Sequence, residues 1–579
     1  MKNIEGVGHP EGTPMVDNLR EEDPSIFELL YKVGIALSAE KNKDRLVEMI
    51  LLEAKNLCHA DGGTLYIRTD HDELRFAIMR TDSLGISMGG MTGAPITIPP
   101  LPLYKNGVPN EANVATCTAL RKQSFNVPDA YQAVGFDFSG TKAFDERNHY
   151  RSRSILTIPL VNSDDTVIAV IQLLNATDPV TKEVISFRLE HQRIVEALAS
   201  QAAIALDNQM LLEGQKHLLE SFIKMIASSI DAKSPYTGGH CERVPILTEM
   251  ITQKVCEATE GPFKDFNLTP EEWYELRIAA WMHDCGKVIT PTHVMDKATK
   301  LETIWDRIDM VKARFEVLRR EAELTYWKGK ARGEDETALR AAYESELKQL
   351  DDELAFLEKA NIGGEYLAPD KQAYIGQIGK RSYVERGQEK TLLTQNEIEN
   401  LQISRGTLTE PERIVINYHM VHTIRMLEAL PFPRSLKRVP EYAGGHHEKM
   451  DGGGYPKGLY AGDMSVPARI MAIADVFEAL TAQDRPYKKG KTLSESMSIM
   501  GFMKRDNHLD PQLFDLFVSS GVYKEYAKMY LPTSLIDEVN EKDLLAIQPK
   551  PFEMPPDDVR RLRWKDFLPQ YVKDLKKSA

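Results

Sequence analysis

The stretch GGHHEKMDGGGYP runs from Gly444 to Pro456. It sets two histidines side by side, then Glu448 and Asp451, then three glycines before Tyr-Pro. Apolar residues are almost absent from it. Upstream, LRIAAWMHDCGK is an apolar helical run that ends on His283, Asp284 and Lys287. Downstream, RIMAIADVFEALTA surrounds a single Asp475 with apolar residues. A lone carboxylate buried there would be costly, and coordination to a cation removes that cost. YTGGHCERV adds His240, and INYHMVH adds His419 and His422. The second half of the chain therefore reads as apolar helices that deliver histidine and aspartate to one place.

A lone histidine on a helix is more often structural than a ligand. His-Asp and His-His adjacency is different. Neighbouring side chains point apart on regular backbone, so two adjacent donors suit two ions better than one. An aspartate beside a ligand histidine can bridge both with its two oxygens. Imidazole and carboxylate without thiolate suit Mn or Fe and accept Zn. Cys241 and Cys285 stand beside these donors and read as packing. Two ions ~3.5–4 Å apart can stabilise the attacking and leaving oxygens of an in-line displacement, which is phosphoester chemistry. Lys287 and, in DRPYKKGK, Arg485 and Lys488 are cations suited to phosphate.

HDCGK together with HHEKMDGGGYP resembles the HD-GYP family, a branch of the HD phosphohydrolases. The likeness runs in family order through YTGGHCERV, HDCGK, LTEPERIVINYH, HHEKMDGGGYP, ARIMAIADVFEAL and DRPYK. It implies a mostly helical bundle and a binuclear divalent metal centre, with Fe or Mn first and Zn, Mg or Ni admitted. It also implies hydrolysis of cyclic di-GMP or of a hybrid cyclic dinucleotide. On this likeness the metal ligands are His240, His283, Asp284, His419, His446, His447 and Asp475, with Asp284 bridging. Asp284 and Lys287 are the catalytic pair. Lys287, Gly454, Tyr455, Arg485 and Lys488 would contact substrate. Some relatives carry a glutamate four residues before the first ligand histidine, supporting a third metal. Tyr236 stands there in this chain, which favours two. Glu448 and Asp451 would hold the loop or a ligand imidazole, and glycines 452–454 would let backbone approach a flat dinucleotide.

Composition agrees with a multidomain signalling enzyme. The chain has 579 residues, more than one core accommodates at roughly 150 residues per domain. Apolar content is 42% and charged content 27%, an ordinary globular balance. A net charge of −14 disfavours nucleic-acid polymers and anionic membranes as partners. The five cysteines include no CxxC pair, which indicates a reducing compartment. No apolar run approaches the ~20 residues of a membrane span, and residues 1–24 read as a polar, flexible lead. The cytoplasm is the expected location.

The first third has a different periodicity. IFELLYKVGIALSAEKNKDRLVEMILLEAKNLC is helical by its spacing of three and four. GGTLYIRT (62–69), ELRFAIMR (73–80), SILTIPLV (154–161) and TVIAVIQLLNA (166–176) alternate as strands, the last two split by the turn NSDD. Helix, strands, hairpin and helix make an α+β sandwich. Residues 25–210 resemble a GAF domain, most clearly through NVPDAY and FDERNHYRSRSILTIPLVNSDDTVIAVIQLLNA. Asn175 is followed by Ala176 and Thr177, where nucleotide-binding relatives carry a fuller Asn-Lys-Phe-Asp-Glu motif. A sensor of a small molecule or cyclic nucleotide and a unit that only dimerises are both open.

The closing helix, about 191–230, repeats Leu198, Ala205, Leu212, Leu219 and Ile226 every seven residues. Its second seam is polar at Gln201, Asn208 and Gln215, which fits a weak coiled coil and a homodimeric linker. The predicted HD-GYP domain covers 215–530. Its gap from His283 to His419 holds an insertion at about 302–402. There Ile308, Val311, Phe315 and Leu318 face Tyr343, Leu347, Leu350, Leu354 and Leu357 across the turn WKGKARGEDE, an α-hairpin that is either a lid or docking arm or a decoration. AYIGQIGKRSYVERGQEK shows little periodicity. Residues 531–579 read as a Pro-interrupted tail ending in a basic helix.

The sequence thus predicts an α+β GAF domain followed by an all-α HD-GYP bundle with an inserted α-hairpin. The expected activity is a bacterial, GAF-regulated phosphodiesterase cutting cyclic di-GMP to pGpG and onward to GMP. The alternatives are a phosphodiesterase for a hybrid cyclic GMP-AMP dinucleotide or another phosphoester, and a non-catalytic cyclic-dinucleotide-binding protein.

Overall fold

Alternation of apolar and polar residues in the first third becomes an antiparallel sheet. In the computed structural model its main path runs Ile86–Gly89, Glu73–Thr81, Ala60–Arg68, Val167–Thr177, Ile155–Val161, Phe125–Val127, with two short strands added at its sides. The structure describes residues 24–233, 239–482 and 491–560. The polar lead before Pro24 and most of the basic terminal segment lie outside them. The chain divides into two units, Met1–Leu218 and Leu219–Ala579.

In the first unit the hairpin predicted at NSDD is present. Asn162 and Thr166 close it, and Asp165 takes a positive φ of 56°. The single helical run breaks in two, Pro24–Ala39 and Lys43–Leu57, because the Asn42 side chain accepts the N–H of Arg45 and caps the second helix. Leu46, Ile50 and Leu51 pack with Leu65, Ile78, Ile158 and Ile171 of the sheet and with Leu198, Ala202 and Leu206 of the closing helix. Asn175, also at positive φ, ties down the segment that leads into the neighbouring strand Ile155–Val161. It accepts from Arg153 N at 2.7 Å and donates to Tyr150 Oη and Arg151 O at 2.8 Å each.

The closing helix spans Leu189–Lys233. Its seven-residue seam is shifted from the sequence reading. Leu198 and Ala205 are buried in their own unit, and Leu212 is exposed. The exposed apolar repeat is instead Ile204, Leu211, Leu218 and Met225. Leu198 and Ala205 face the sheet because that is where most apolar surface is removed from water, while Leu219 and Ile226 pack on a core of the second unit.

The second unit is largely helical. One core joins the helices His240–Cys256, Val466–Thr481, Leu493–Arg505, Pro511–Ser519 and Val522–Tyr530. A second joins the end of the long helix to Pro270–Met282 and Val439–Gly444. The helix carrying Asp475 contributes to both, through Ile470 and Phe477 to one and Met471 to the other. The start of the C-terminal tail is part of this unit, since Leu544 is buried in the first core.

The insertion has its own core. Ile308–Ala331 and Glu336–Asn361 form the α-hairpin, burying Ile308, Val311, Phe315, Leu318, Leu350 and Leu357. The segment read as aperiodic contains the helix Pro369–Gly379 and a strand hairpin, Ser382–Glu385 with Gln388–Thr391. Its two-residue turn, Arg386 at φ 52° and Gly387 at φ 81°, has both central residues at positive φ, as a type I′ turn demands. Four-residue strands are too short for alternation to register. Phe315→Ala is expected to cost about 3–5 kcal/mol. Amide exchange should quicken in both hairpin helices and not in Val466–Thr481. Equal quickening everywhere would show that the insertion has no separate core.

Candidate metal centre

Four helix ends and one helix middle converge. His240 opens the helix His240–Cys256, and His283 ends Pro270–Met282. His419 opens His419–Glu428, and His446 and His447 follow Val439–Gly444 on a turn. Asp475 lies inside Val466–Thr481. These side chains form two groups of donor atoms, Asp284 with His419, His446 and His447, and Asp284 with His240, His283 and Asp475. Asp284 belongs to both. The adjacent histidines 446 and 447 fall in one group, because a turn lets neighbouring side chains converge where regular backbone would not.

Local hydrogen bonds fix which nitrogen faces the centre. His283 Nδ1 meets Ala280 O at 2.7 Å, His419 Nδ1 meets Ile416 O at 2.6 Å, and His446 Nδ1 meets Ala443 O at 2.7 Å. Each carbonyl lies three residues back, in a last helical turn whose carbonyls lack intrahelical donors. Nδ1 therefore carries the proton, and Nε2 keeps a lone pair. His240 is oriented differently, with Nδ1 paired to Glu478, which also accepts from Arg243 Nε at 2.6 Å.

The Nε2 atoms crowd one carboxylate. His419 Nε2 is 3.2 Å and His446 Nε2 3.9 Å from Asp284 Oδ1. His283 Nε2 is 3.3 Å and His240 Nε2 3.5 Å from Asp284 Oδ2. His240 Nε2 is also 3.3 Å from Asp475 Oδ1. Among the described residues, Nε2 of His240, His283, His419 and His446 and Oδ1 of Asp284 are buried without a hydrogen-bond partner. Each orphan of this kind costs about 1–3 kcal/mol. Divalent cations satisfy all of them together, so the donor set fits metal.

The electrostatics agree. Burial, then the neighbouring His283, pushes the His446 imidazole down to about 4, and burial holds His447 well below its usual range. Both are neutral, the ligating form. Burial opposes ionisation of Asp284, but Lys287 and the histidines outweigh it and hold the carboxyl well below the usual range. Burial also opposes the charge of Lys287, yet Asp284 and Asp475 raise its ammonium to about 12. Lys287 is ion-paired with Asp284. Cys241 and Cys285 are buried in the apolar core, and burial pushes the Cys285 thiol up to about 12.

The Gly-Tyr-Pro loop packs tightly on itself. A Cβ on Gly454 would meet Glu448 Cα and Lys449 N at 2.4 Å, and one on Gly452 would meet the Tyr460 ring at 2.5 Å. These glycines are required by the loop's own packing. Glu448 accepts from Lys457 N at 2.6 Å and Leu459 N at 2.9 Å, and Asp451 from Gly453 N at 2.9 Å, so both acids tie the loop. Tyr455 stacks on His447, with centroids 4.9 Å apart. His422 is absent from both donor groups and contacts Tyr418. Tyr236, Arg485 and Lys488 lie outside the described residues.

Sequence reasoning missed two positions. Glu478 is one turn beyond Asp475 on the same helix, and that three-residue spacing was the available signal. Gly286 lets the segment after Asp284 press on the next ligand helix. Its N–H donates to Thr423 Oγ1 at 2.9 Å, and a Cβ there would lie 2.0 Å from His419 O.

Residues 395–513 match the family described as HD domain, and 42–206 the family described as GAF domain. The chain carries a GAF domain and an HD domain. His419, His446, His447 and Asp475 fall inside the HD match. His240, His283 and Asp284 precede it, on the far side of the insertion. A 3'3'-cGAMP-specific phosphodiesterase of Vibrio cholerae is 44% identical over 113 residues, 20% of this chain and 25% of that protein. A cyclic di-GMP phosphodiesterase of Pseudomonas aeruginosa is 35% identical over 178 residues, 30% of this chain and 40% of that protein. A second 3'3'-cGAMP-specific phosphodiesterase of V. cholerae is 23% identical over 345 residues, 58% and 48% of the two chains. The chain thus spans half or less of each of these relatives. No described helix is long and apolar enough to cross a membrane.

Two substitutions test the HD-domain geometry. Gly286→Ala should cost at least about 1–3 kcal/mol in a thermal or urea melt, by overpacking against His419. Glu478→Ala should weaken Mn²⁺ binding about 10–100-fold by calorimetry, because it removes the acceptor that holds the far nitrogen of His240. An unchanged affinity would show that Glu478 does not orient that ring.

Proposed function

We propose that this chain is a metal-dependent phosphodiesterase that opens cyclic di-GMP to linear pGpG, and onward to GMP, under control of its GAF domain. The observation that carries the reading is the pair of donor groups sharing the buried Asp284. His240, His283 and Asp475 would hold one ion, His419, His446 and His447 the other, with Asp284 common to both. When bound, a divalent pair supplies Lewis-acid stabilisation of the attacking and leaving oxygens at phosphorus. The protein's own part is positioning. The Nδ1 contacts to carbonyls aim three imidazoles, and Glu478 aims the fourth. Lys287 keeps its charge at neutral pH and offers a cation to a phosphate oxygen. Tyr455, stacked on His447, would border a base.

A second reading is a hybrid cyclic GMP-AMP substrate, favoured by the names of two of the relatives. The five cysteines are unpaired, in keeping with a cytoplasmic enzyme. The exposed repeat Ile204, Leu211, Leu218 supports a homodimer through the long helix.

Protein loaded with Mn²⁺ or Fe²⁺ is incubated with cyclic di-GMP and with 3'3'-cGAMP, and the products are separated by chromatography. Cyclic di-GMP should disappear with pGpG accumulating, and Asp284→Asn should cut the rate at least about 100-fold. Faster loss of cGAMP would favour the second reading. Intact dinucleotides after removal of the GAF domain's control would contradict both.

A further inference from the structure

The last turn of the long helix Leu189–Lys233 carries two charged residues whose partners lie on other segments. Asp231 Oδ2 accepts the backbone N–H of Gly239 at 3.1 Å and of Cys241 at 3.3 Å. These groups open the helix His240–Cys256, whose cap residue is Gly239, at φ 78°, with no side chain to offer. Asp231 supplies that cap from outside and sets a negative charge at the positive helix end. The first residue of the helix so held is His240.

Lys233 reaches the other ligand segment. Its Nζ donates to the carbonyls of Lys287 at 3.2 Å, Val288 at 2.5 Å and Thr290 at 2.6 Å. They belong to the short 3-10 turn Cys285–Val288 that follows Asp284, and to the residues just beyond it. Helical ends leave such carbonyls without donors, and an ammonium has three N–H groups to give. The same helix is seated below by Ile223, Ala227 and Ile230, in one core with Cys241, Met282 and Cys285. Along its flank lies a groove of about 260 Å³ lined by Lys224, Ile246, Arg277 and Trp281.

We propose that Asp231 and Lys233 are positioning residues that set His240 against Asp284, so that the long helix decides whether the His240–His283–Asp475 half of the centre is assembled. The helix begins inside the GAF match at Leu189 and ends on this clamp, which makes the clamp the point where control reaches the site. The proposal rests on reading the centre as a metal site. It also predicts asymmetry. Asp231 holds only the helix that opens on His240, so its loss affects the ion of His240, His283 and Asp475, whereas Lys233 holds the segment of Asp284, which both groups share, so its loss affects both ions.

The test is titration of the full-length chain with Mn²⁺ by calorimetry, comparing wild type with Asp231→Ala and Lys233→Met, each checked for native far-UV circular dichroism. Wild type should show two sites. In Asp231→Ala one site should weaken about 10–100-fold, the range for lost outer-shell support, and the other should stay within about twofold; in Lys233→Met both sites should weaken. If Lys233→Met does not fold, Lys233→Gln, which keeps two donors, gives the same readout. Equal weakening of both sites in Asp231→Ala would mean a general structural loss and overturn the clamp, as would no change in either variant. The readout needs no substrate. A wild type that binds two ions and cleaves no cyclic dinucleotide would sink the proposed activity and leave the clamp standing. A wild type that binds none would sink both.

Discussion

One buried carboxylate organises the second unit. Asp284 is 2% exposed and lies within 4 Å of the Nε2 atoms of four histidines that come from four separate chain segments. Taking that charge and those lone pairs out of water is unfavourable unless a cation joins them. The helices are arranged so that their ends, where backbone groups are unsatisfied, meet at this point. Spare carbonyls of three helix ends take the Nδ1 protons and leave Nε2 free. The constraint also explains Gly286, since no larger residue lets the Asp284 segment approach the His419 helix.

The insertion is compatible with this arrangement because it carries its own core and returns the chain before the helix Glu410–Asn417. Two buried lysines join its ends. Lys297 reaches Asn400 and Glu412, and Lys300 reaches the carbonyls of Leu401 and Ile403. A long excursion between His283 and His419 therefore leaves both histidines in register. Splitting the domain this way also accounts for a family match that begins only at residue 395.

The candidate ligands were legible because metal chemistry restricts residue type, so His-Asp and His-His pairs stand out against apolar helices. The strands of the first unit were legible for a similar reason, since a half-buried sheet forces alternation. What was hidden depended on distance between segments. Glu478 looks like any helical glutamate until His240 is placed beside it. The glycines 452–454 read as room for a ligand, and what the sequence did not show is that a Cβ on Gly452 would meet Tyr460 and one on Gly454 would meet Glu448 and Lys449. The linker seam shifted by one position because periodicity alone does not say which stripe faces the sheet. Asp231 and Lys233 carry no sequence signal of their own, because their partners lie up to tens of residues away.

The central claim is that Asp284 is shared by two ions. The most direct measurement is anomalous X-ray diffraction from crystals of the Mn²⁺-loaded protein. The account predicts two peaks about 3.5–4 Å apart, both on Asp284, one toward His240 and His283 and the other toward His419 and His446. A single peak, or a pair with Asp284 outside its coordination, would contradict it.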